Sequence, residues 1–462
     1  MKYIIFFILE TPSHLNSSFL IAKSLRSKGY EIIYIIFSNK YLELLSNEGF
    51  KYEFIKDFNI SRNRTNNFFS RSNLLLFYQA KSDFKREFLS GSIFNSIIRK
   101  YNPSLFIVDL SLIFYSIILW EKNIPFIITC TKVSLNFDKI IPPFTSNVIP
   151  KFFRRNFKDK IIILFIWAKR LLYQYAINKY QQLSIYSISH LYLVREYCKL
   201  YNLNFNSIIN TKRCTHFGWK FVPEIILSPK YFDFPRQYNK NQTHVGPVVD
   251  FNRSHYFCND SNLDRLKSIL DSDLNSNSKI LFCSFGSYDF KYNKSRFLIF
   301  RKLISIISKR NDFILILSFG RGISSLKSGF NNIYFFNDVP QISVLEKTAL
   351  MINHGGMQSV TECIMLEVPM LVFPLNPDLD QKGNAARVVY HKVGLRGNLK
   401  KENPKSIELK IDQLINNRNY FVSNIKKLKE KMLDSGDFDK GIAFIEDYIK
   451  NPTIRHESSR TL

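Results

Sequence analysis

A histidine, two glycines and a serine stand together where an apolar run ends and a helical pattern begins. His354, Gly355 and Gly356 follow directly on the apolar run that ends at Asn353. Free amides at a helix N-terminus and the positive end of the helix dipole suit a phosphate or diphosphate, and glycines let the backbone approach it closely. Ser359 would add a hydroxyl in the first turn. The pattern predicts a diphosphate site at this turn.

Carboxylate and amide side chains follow in the same part of the sequence. Glu362, three residues after Ser359, shares its helix face and could accept hydrogen bonds from a ribose. Asp380 and Gln381 come after a second strand that ends at Pro374, and a carboxylate beside an amide suits sugar hydroxyls. Because sites in open α/β sheets lie at the carboxyl ends of strands, we expect all these side chains in one site.

Strand and helix patterns alternate in two blocks, which predicts an α/β protein with two Rossmann-like domains and parallel sheets. The first block has strands at 3–9, 31–37, 105–108 and 126–129, and a helix at 17–28. The second block has strands at 279–284, 313–318, 332–336, 350–353 and 370–373, with helices from about 404 to 450 closing the end. The expected domains are 1–235 and 279–462, with a polar linker and domain edge at 236–278.

Length and composition exclude several classes of protein. The chain has 462 residues, of which 45% are hydrophobic and 22% charged, so it is not a disordered protein. Its six scattered cysteines predict no disulfide framework or zinc cluster and favour a reduced, cytoplasmic compartment. The apolar N-terminal run stops at Glu10, which indicates a buried strand and not a signal peptide. No apolar run approaches the ~20 residues of a membrane-spanning helix.

Basic residues outnumber acidic ones, 65 Lys and Arg against 38 Asp and Glu, for a net charge of +27. Part of this excess lies in a basic, aromatic segment at 151–175. Such a segment is typical of a solvated helix face, and it could also make a peripheral contact with an anionic membrane, here the inner membrane face. Both interpretations stay open. Because no nucleic-acid-binding motif accompanies the charge, nucleic acid is not an expected partner.

The segment 339–397 resembles the family-1 nucleotide-sugar glycosyltransferases, the group of plant secondary-product, macrolide and carotenoid glycosyltransferases. The family core His-x-Gly-x-x-Ser-x-x-Glu is matched from His354 to Glu362, and its acidic-Gln pair followed by Asn-Ala is matched from Asp380 to Ala385. The resemblance implies a GT-B fold with a central cleft, the donor on the C-terminal domain and the acceptor on the N-terminal domain. Further expected donor contacts are Gly286, Ser287, Gln341 and Gln358.

The resemblance extends to His14, which follows the first strand as the family's histidine does. Inverting sugar transfer is an in-line displacement in which the acceptor hydroxyl loses its proton, and histidine is a common base near neutral pH. Asp109, at another strand end, could hold the second ring nitrogen and stabilise the imidazolium. The resemblance therefore implies a hexosyltransferase that uses a UDP-sugar or dTDP-sugar, with UDP-glucose as the favoured type.

No metal is expected, because backbone amides, His354 and a helix dipole could stabilise the leaving diphosphate. No other cofactor is expected, since the nucleotide sugar is a co-substrate. The segments 68–88 and 131–175 are rich in Phe, Ile and Leu, which favours an apolar, hydroxyl-bearing small molecule or lipid as acceptor. Two alternatives stay open, a nucleotide-sugar epimerase of the same fold and a non-catalytic nucleotide-sugar or lipid-binding protein. The pair His14 and Asp109 distinguishes a transferase from a binder.

Overall fold

The computed structural model describes residues 2–56, 71–150, 157–184, 186–253, 260–272, 278–286, 293–319 and 329–452. The strands are β1 (Lys2–Phe7), β2 (Tyr30–Ile36), β3 (Lys51–Phe54), β4 (Leu105–Asp109), β5 (Phe126–Cys130), β6 (Ile209–Asn210), β7 (Gly218–Trp219), β8 (Glu224–Pro229), β9 (Gln242–Gly246), β10 (Lys279–Ser284), β11 (Phe313–Ser318), β12 (Ile333–Phe336), β13 (Thr348–Asn353), β14 (Met370–Val372) and β15 (Gly394–Arg396). The helices are α1 (Pro12–Ser27), α2 (Leu42–Asn47), α3 (Arg71–Leu89), α4 (Asn95–Tyr101), α5 (Ser116–Glu121), α6 (Phe157–Leu183), α7 (His190–Leu200), α8 (Phe205–Ile208), α9 (Asp260–Ser272), α10 (Asn293–Ile307), α11 (Gln341–Glu346), α12 (Met357–Met365), α13 (Gln381–Tyr390), α14 (Pro404–Asn416), α15 (Arg418–Asp434) and α16 (Asp437–Lys450).

Two parallel sheets form the framework. One has the strand order β3-β2-β1-β4-β5-β8-β9 and the other β12-β11-β10-β13-β14-β15. All five residues of β4 are buried, as are all three of β14, because helices cover both faces of each sheet. This explains why the strands were visible in the sequence as continuous apolar runs. The predicted two-sheet α/β architecture is confirmed, including the helices at the end of the chain.

The first sheet includes a strand that lies beyond residue 235, the expected end of the N-terminal domain. β9 lies in the stretch 236–278 and pairs with β8 in parallel. At the end of the chain, α16 packs on β9 and α1, and its apolar face joins the core beneath β1 through Ile442 and Ile445. The N-terminal sheet is therefore extended by a strand from the polar stretch, and a helix from the end of the chain packs against it.

A buried ion pair joins the two halves of the chain. Asp233, after β8, accepts hydrogen bonds from Arg387 of α13, with Oδ1 2.6 Å from Nη2 and 3.0 Å from Nε. Its second oxygen lies 2.8 Å from Nε of Arg236. Because Asp233 and Arg387 are both almost fully buried, each needs the other to compensate its lost hydration. This contact fixes α13 relative to the N-terminal sheet.

Candidate active site

A cleft of about 480 Å³ lies between the carboxyl ends of the two sheets. Of the residues singled out from the sequence, the cleft is lined by His14, Gly286, Gln341, His354, Gly356, Gln358, Ser359, Glu362, Asp380 and Gln381. Asp109 contacts this cleft through His14, and Gly355 lies in the turn between two lining residues. Ser287 lies outside the described residues. The tertiary structure thus brings together side chains from both halves of the sequence.

His14 and Asp109 form a hydrogen-bonded pair on the N-terminal side of the cleft. α1 begins at Pro12, five residues earlier than its apolar spacing predicted, because the proline ring fixes a helical φ angle at the first position. His14 therefore lies in the first turn, and its Nδ1 is 2.5 Å from Oδ2 of Asp109 at the end of β4. A proton on Nδ1 leaves Nε2 as a hydrogen-bond acceptor, the form required of a general base.

The carboxylate of Asp109 is held in its charged form. Only 2% of the side chain is exposed, and burial by itself would raise its pKa. The charge and hydrogen bond of His14, together with the backbone amide of Ser111 at 2.7 Å, outweigh burial and keep the pKa of Asp109 below its ordinary value. A buried carboxylate of this kind can stabilise an imidazolium on His14.

The turn between β13 and α12 requires glycine and leaves helix amides free. Gly355 has a φ of +85°, and a Cβ there would lie 2.8 Å from Cγ1 of Val372 and 2.9 Å from the carbonyl oxygen of Gln381. Gly356 is the N-cap of α12 and has no side chain to cap it. The first amides of a nine-residue helix therefore face the cleft beside Ser359, as the sequence predicted for a diphosphate site.

His354 stands at this turn with one ring nitrogen unused. Its Nδ1 is buried and has no hydrogen-bond partner among the residues that the structure describes. Burial, and then the positive charge of Arg296, lower the pKa of His354 to about 4, so the ring is neutral at neutral pH. Gly286, with a φ of +69°, allows the close approach, since a Cβ there would be 3.1 Å from Cε1 of His354. A neutral ring beside a guanidinium suits a diphosphate ligand.

Glu362 is fully buried and accepts hydrogen bonds from three side chains. Its Oε1 lies 2.5 Å from Nη1 of Arg253 and 2.9 Å from Nε2 of Gln358. Its Oε2 lies 2.5 Å from Nε2 of Gln341, which is also 3.2 Å from Oγ of Ser359. A ribose hydroxyl would have to replace or join these partners. The ribose contact stays a prediction, and Arg253 is a partner that the sequence did not indicate.

Asp380 and Gln381 lie where β14 leads into α13. Asp380 is the N-cap of α13, but its side chain makes no capping hydrogen bond and instead accepts one from Nδ2 of Asn384 at 2.9 Å. Burial raises the pKa of Asp380 despite the opposing effects of Lys132 and Asn384. Gln381 uses its Oε1 to accept the amides of Leu375 and Asn376, each at 2.8 Å. Gln381 therefore shapes the loop, and its contact with a sugar stays a prediction.

Sequence reasoning missed four basic or titratable residues that line the cleft, namely Lys132, His216, Arg253 and Arg296. Lys132 follows β5, so its position at a strand end was the available signal. His216 has a φ of +51°, and burial together with the nearby Lys132 lowers its pKa to about 3, so it is neutral. Arg253 and Arg296 gave no signal, because a single arginine in a polar loop or at a helix start is common.

The chain is similar to several glycosyltransferases. A family model for the glycosyltransferase family 28 C-terminal domain matches residues 324–437. The uncharacterised UDP-glucosyltransferase YojK of Bacillus subtilis is 27% identical over 233 residues, which cover 50% of this chain and 52% of that protein. The zeaxanthin glucosyltransferase of Pantoea ananas is 31% identical over 106 residues, which cover 22% of this chain and 24% of that protein. The solved structure of the kitacinnamycin glycosyltransferase superposes with a TM-score of 0.65 at 14% identity, over 97% of this chain and 99% of the other.

The fold is GT-B, and the resemblance to family-1 nucleotide-sugar glycosyltransferases that the sequence predicted is confirmed. The match to YojK spans about half the length of that protein, 52%, and the match to the zeaxanthin glucosyltransferase spans 24% of that protein. The family match at 324–437 contains the turn at His354, the helix that bears Glu362 and the Asp380–Gln381 loop. The family match therefore covers the C-terminal side of the cleft, which these residues line.

Proposed function

We propose that the protein is an inverting glycosyltransferase that moves a hexose from a nucleotide diphosphate sugar to a hydroxyl group of an apolar acceptor. The observation that carries the proposal is the hydrogen-bonded pair His14–Asp109, which opens onto the same cleft as the uncapped helix amides of α12. A base on one side and an anion site on the other suit a displacement at a carbon that lies between them. A protein that only bound nucleotide sugars would not need a paired, charged carboxylate behind a histidine.

Each group has one step in the proposed reaction. Nε2 of His14 takes the proton from the acceptor hydroxyl as the oxygen attacks the anomeric carbon, and Asp109 stabilises the imidazolium that results. The bond to the diphosphate breaks on the opposite face. The amides of α12 and the ring of His354 stabilise the leaving group. No metal is assigned a role, because this set of groups supplies the positive potential that the leaving diphosphate needs.

The donor is proposed to be of the UDP-glucose type, with a dTDP-sugar as the alternative nucleotide. Support comes from the name of the Bacillus relative, a UDP-glucosyltransferase, and from the buried carboxylate of Glu362 beside the diphosphate turn. The sugar is assigned to Asp380 and Gln381. The acceptor is proposed to be apolar, as zeaxanthin is for the Pantoea relative, and a cytoplasmic location fits five described cysteines that are free and buried.

The test is a pair of variants that separate transfer from donor binding. His14→Ala should lower the transfer rate by about 10²–10⁴-fold and leave the affinity for UDP unchanged, because the base contacts the acceptor. His354→Ala should instead weaken UDP binding. Transfer is measured as the release of UDP from UDP-glucose in the presence of a panel of phenolic, polyketide and carotenoid acceptors. UDP binding is measured by calorimetry.

Three outcomes would contradict the proposal. Loss of UDP affinity in His14→Ala would remove the base assignment. Consumption of UDP-glucose without an acceptor, with release of an isomerised nucleotide sugar, would favour the epimerase. Tight UDP binding with no turnover on any acceptor, combined with a His14→Ala variant that behaves as the wild type, would favour a binding protein.

A further inference from the structure

Helix α6 presents an apolar stripe to solvent. Its inner side packs into the core through Ile163 and Trp167. On the opposite side, at helical spacing, lie the exposed side chains that we call the outer face, Ile161, Phe165, Leu172, Ala176 and Leu183. Phe165 and Leu172 are each 69% exposed, and Leu183 is 83% exposed. Because a helix on a globular protein normally directs its polar residues outward, the outer face indicates a surface that is covered in use.

Positive charge accompanies this apolar surface. Lys169 and Lys179 are exposed on the same side of α6, and Lys160 stands exposed beside its first described turn. The 27-residue helix has a single acidic residue, Asp159. The whole chain is also basic, with a net charge of +27. A long helix with an apolar face, aromatic residues and flanking lysines is typical of segments that lie in the plane of an anionic lipid surface.

The inner side of α6 contacts the loop that leads to Asp380. Nε1 of Trp167 donates to the carbonyl oxygen of Ile141 at 2.8 Å, and Nε of Arg170 donates to the carbonyl oxygen of Cys214 at 2.8 Å. Nη1 of Arg170 lies 3.6 Å from Oδ1 of Asp378, two residues before Asp380 in the donor loop. The outer face is therefore about one helix diameter, roughly 10 Å, from a residue of that loop.

We propose that the outer face of α6 docks the protein peripherally on an anionic lipid bilayer. The docked helix lies parallel to the membrane, its apolar stripe enters the headgroup boundary, and Lys169 and Lys179 contact lipid phosphates. None of the helices in the described residues is long and apolar enough to cross a membrane, so the contact proposed is a surface contact. The inference goes beyond glycosyl transfer and holds whether or not that activity is found. With an apolar acceptor, docking would bring the cleft close to lipid in which the acceptor dissolves.

The experiment is co-sedimentation of the full chain with vesicles of phosphatidylglycerol and phosphatidylcholine, compared with vesicles of phosphatidylcholine alone. Binding should occur on the anionic vesicles and weaken as the salt concentration rises. The double variant Phe165→Ser, Leu172→Ser should lose binding at least tenfold. Lys169→Glu with Lys179→Glu should lower the partition coefficient by more than about 25-fold, since an attraction of about 1 kcal/mol per basic residue corresponds to about fivefold for each lysine removed.

Matched controls lie on the C-terminal helices. Leu409→Ser with Leu433→Ser removes two leucines that are 58% and 51% exposed on α14 and α15, and Lys427→Glu with Lys431→Glu reverses two exposed lysines of α15. Both control variants should bind vesicles as the wild type does. An equal loss of vesicle binding in the control and test variants would overturn the proposal, because it would show that binding depends on the overall charge and hydrophobicity of the protein and not on α6.

A second copy of the chain is the competing occupant of the outer face. Sedimentation velocity of the wild type and of Phe165→Ser, Leu172→Ser distinguishes the two. A wild-type monomer that binds anionic vesicles supports lipid docking. A wild-type dimer that the variant dissociates, with vesicle binding absent or unchanged, would overturn it. Far-ultraviolet circular dichroism of each variant shows that a loss of binding does not follow from unfolding of α6.

Discussion

The hydrogen bond between His14 and Asp109 can be tested without changing the size of either side chain, by replacing Asp109 with asparagine. In the native protein Nδ1 of His14 lies 2.5 Å from the carboxylate, and Asp109 is almost completely buried. An amide in the same place removes the negative charge that stabilises the imidazolium. Its NH₂ group can also donate to Nδ1, which would place the ring proton on Nε2, where the acceptor hydroxyl must be received.

The size of the effect follows from the geometry. Two unit charges about 4 Å apart in a partly water-excluded site with an effective dielectric constant of about 20 attract each other by about 4 kcal/mol. This attraction is present in the transition state, when His14 carries the proton, and it is lost in the variant. Because each 1.4 kcal/mol changes a rate about tenfold, kcat should fall about 10³-fold. The affinity for UDP should not change, since the proposed reaction assigns both residues to the acceptor.

The assay is a double-mutant cycle of Asp109→Asn and His14→Ala, with kcat measured at saturating donor and acceptor and UDP affinity measured by calorimetry. If Asp109 acts through His14, Asp109→Asn should cost about 10³-fold in the wild type and almost nothing in His14→Ala. Glu48→Gln is the control, because Glu48 is a buried carboxylate paired with Lys23 that does not line the cleft. That variant should lose stability and keep its kcat.

Thermal denaturation separates catalysis from folding. The folded-state pKa of Asp109 lies below its ordinary value, so its carboxylate stabilises the fold above about pH 4, and this contribution is lost as the pH falls through the folded-state pKa. Asp109→Asn should therefore lower the melting temperature at neutral pH and differ less from the wild type in acid. The reasoning would be refuted by an equal loss of kcat in the His14→Ala background, or by a loss of UDP affinity that accompanies the fall in kcat.

Three further changes test other parts of the site. Asp233→Asn should lower the free energy of unfolding, measured with urea, by about 3–5 kcal/mol, because it leaves the buried Arg387 without its charge partner. The control Asp83→Asn, on the surface, should lower it by less than about 1 kcal/mol, and equal losses in the two variants would contradict the prediction. Asp380→Asn should lower transfer yet raise the melting temperature at pH 7, because burial raises the pKa of Asp380 and its charged form destabilises the fold above that pKa. The gain in melting temperature should vanish as the pH falls toward about 4, and a gain that stayed constant across pH would contradict this prediction. Glu362→Gln should weaken binding of UDP more than of dTDP in calorimetry, because deoxyribose lacks one hydroxyl, and an equal effect on both would remove the ribose contact.

The fold class and the turn at His354 could be predicted from the amino-acid sequence. Strands buried on both faces are continuous apolar runs, so β10 and β11 could be placed with their observed bounds from residue types alone. The turn at His354 could be predicted because its parts are neighbours in sequence and its requirement for glycine is local. His14 was singled out by the family resemblance, and Asp109, 95 residues away, by its position at the end of a strand.

The hydrogen-bond partners of the polar groups inside the cleft could not be predicted from the sequence and depend on the tertiary structure. The ion pair of Arg253 and Glu362 joins residues 109 positions apart, and neither periodicity nor motif spacing indicates it. Gln381 matched a sugar-binding pattern in sequence, but its amide oxygen holds the loop amides of Leu375 and Asn376. Likewise β9, from within the polar stretch, pairs with the N-terminal sheet, and α16, from the end of the chain, packs against it. Periodicity reports which face of an element is buried, whereas the partner that buries it is selected by packing among segments distant in the chain.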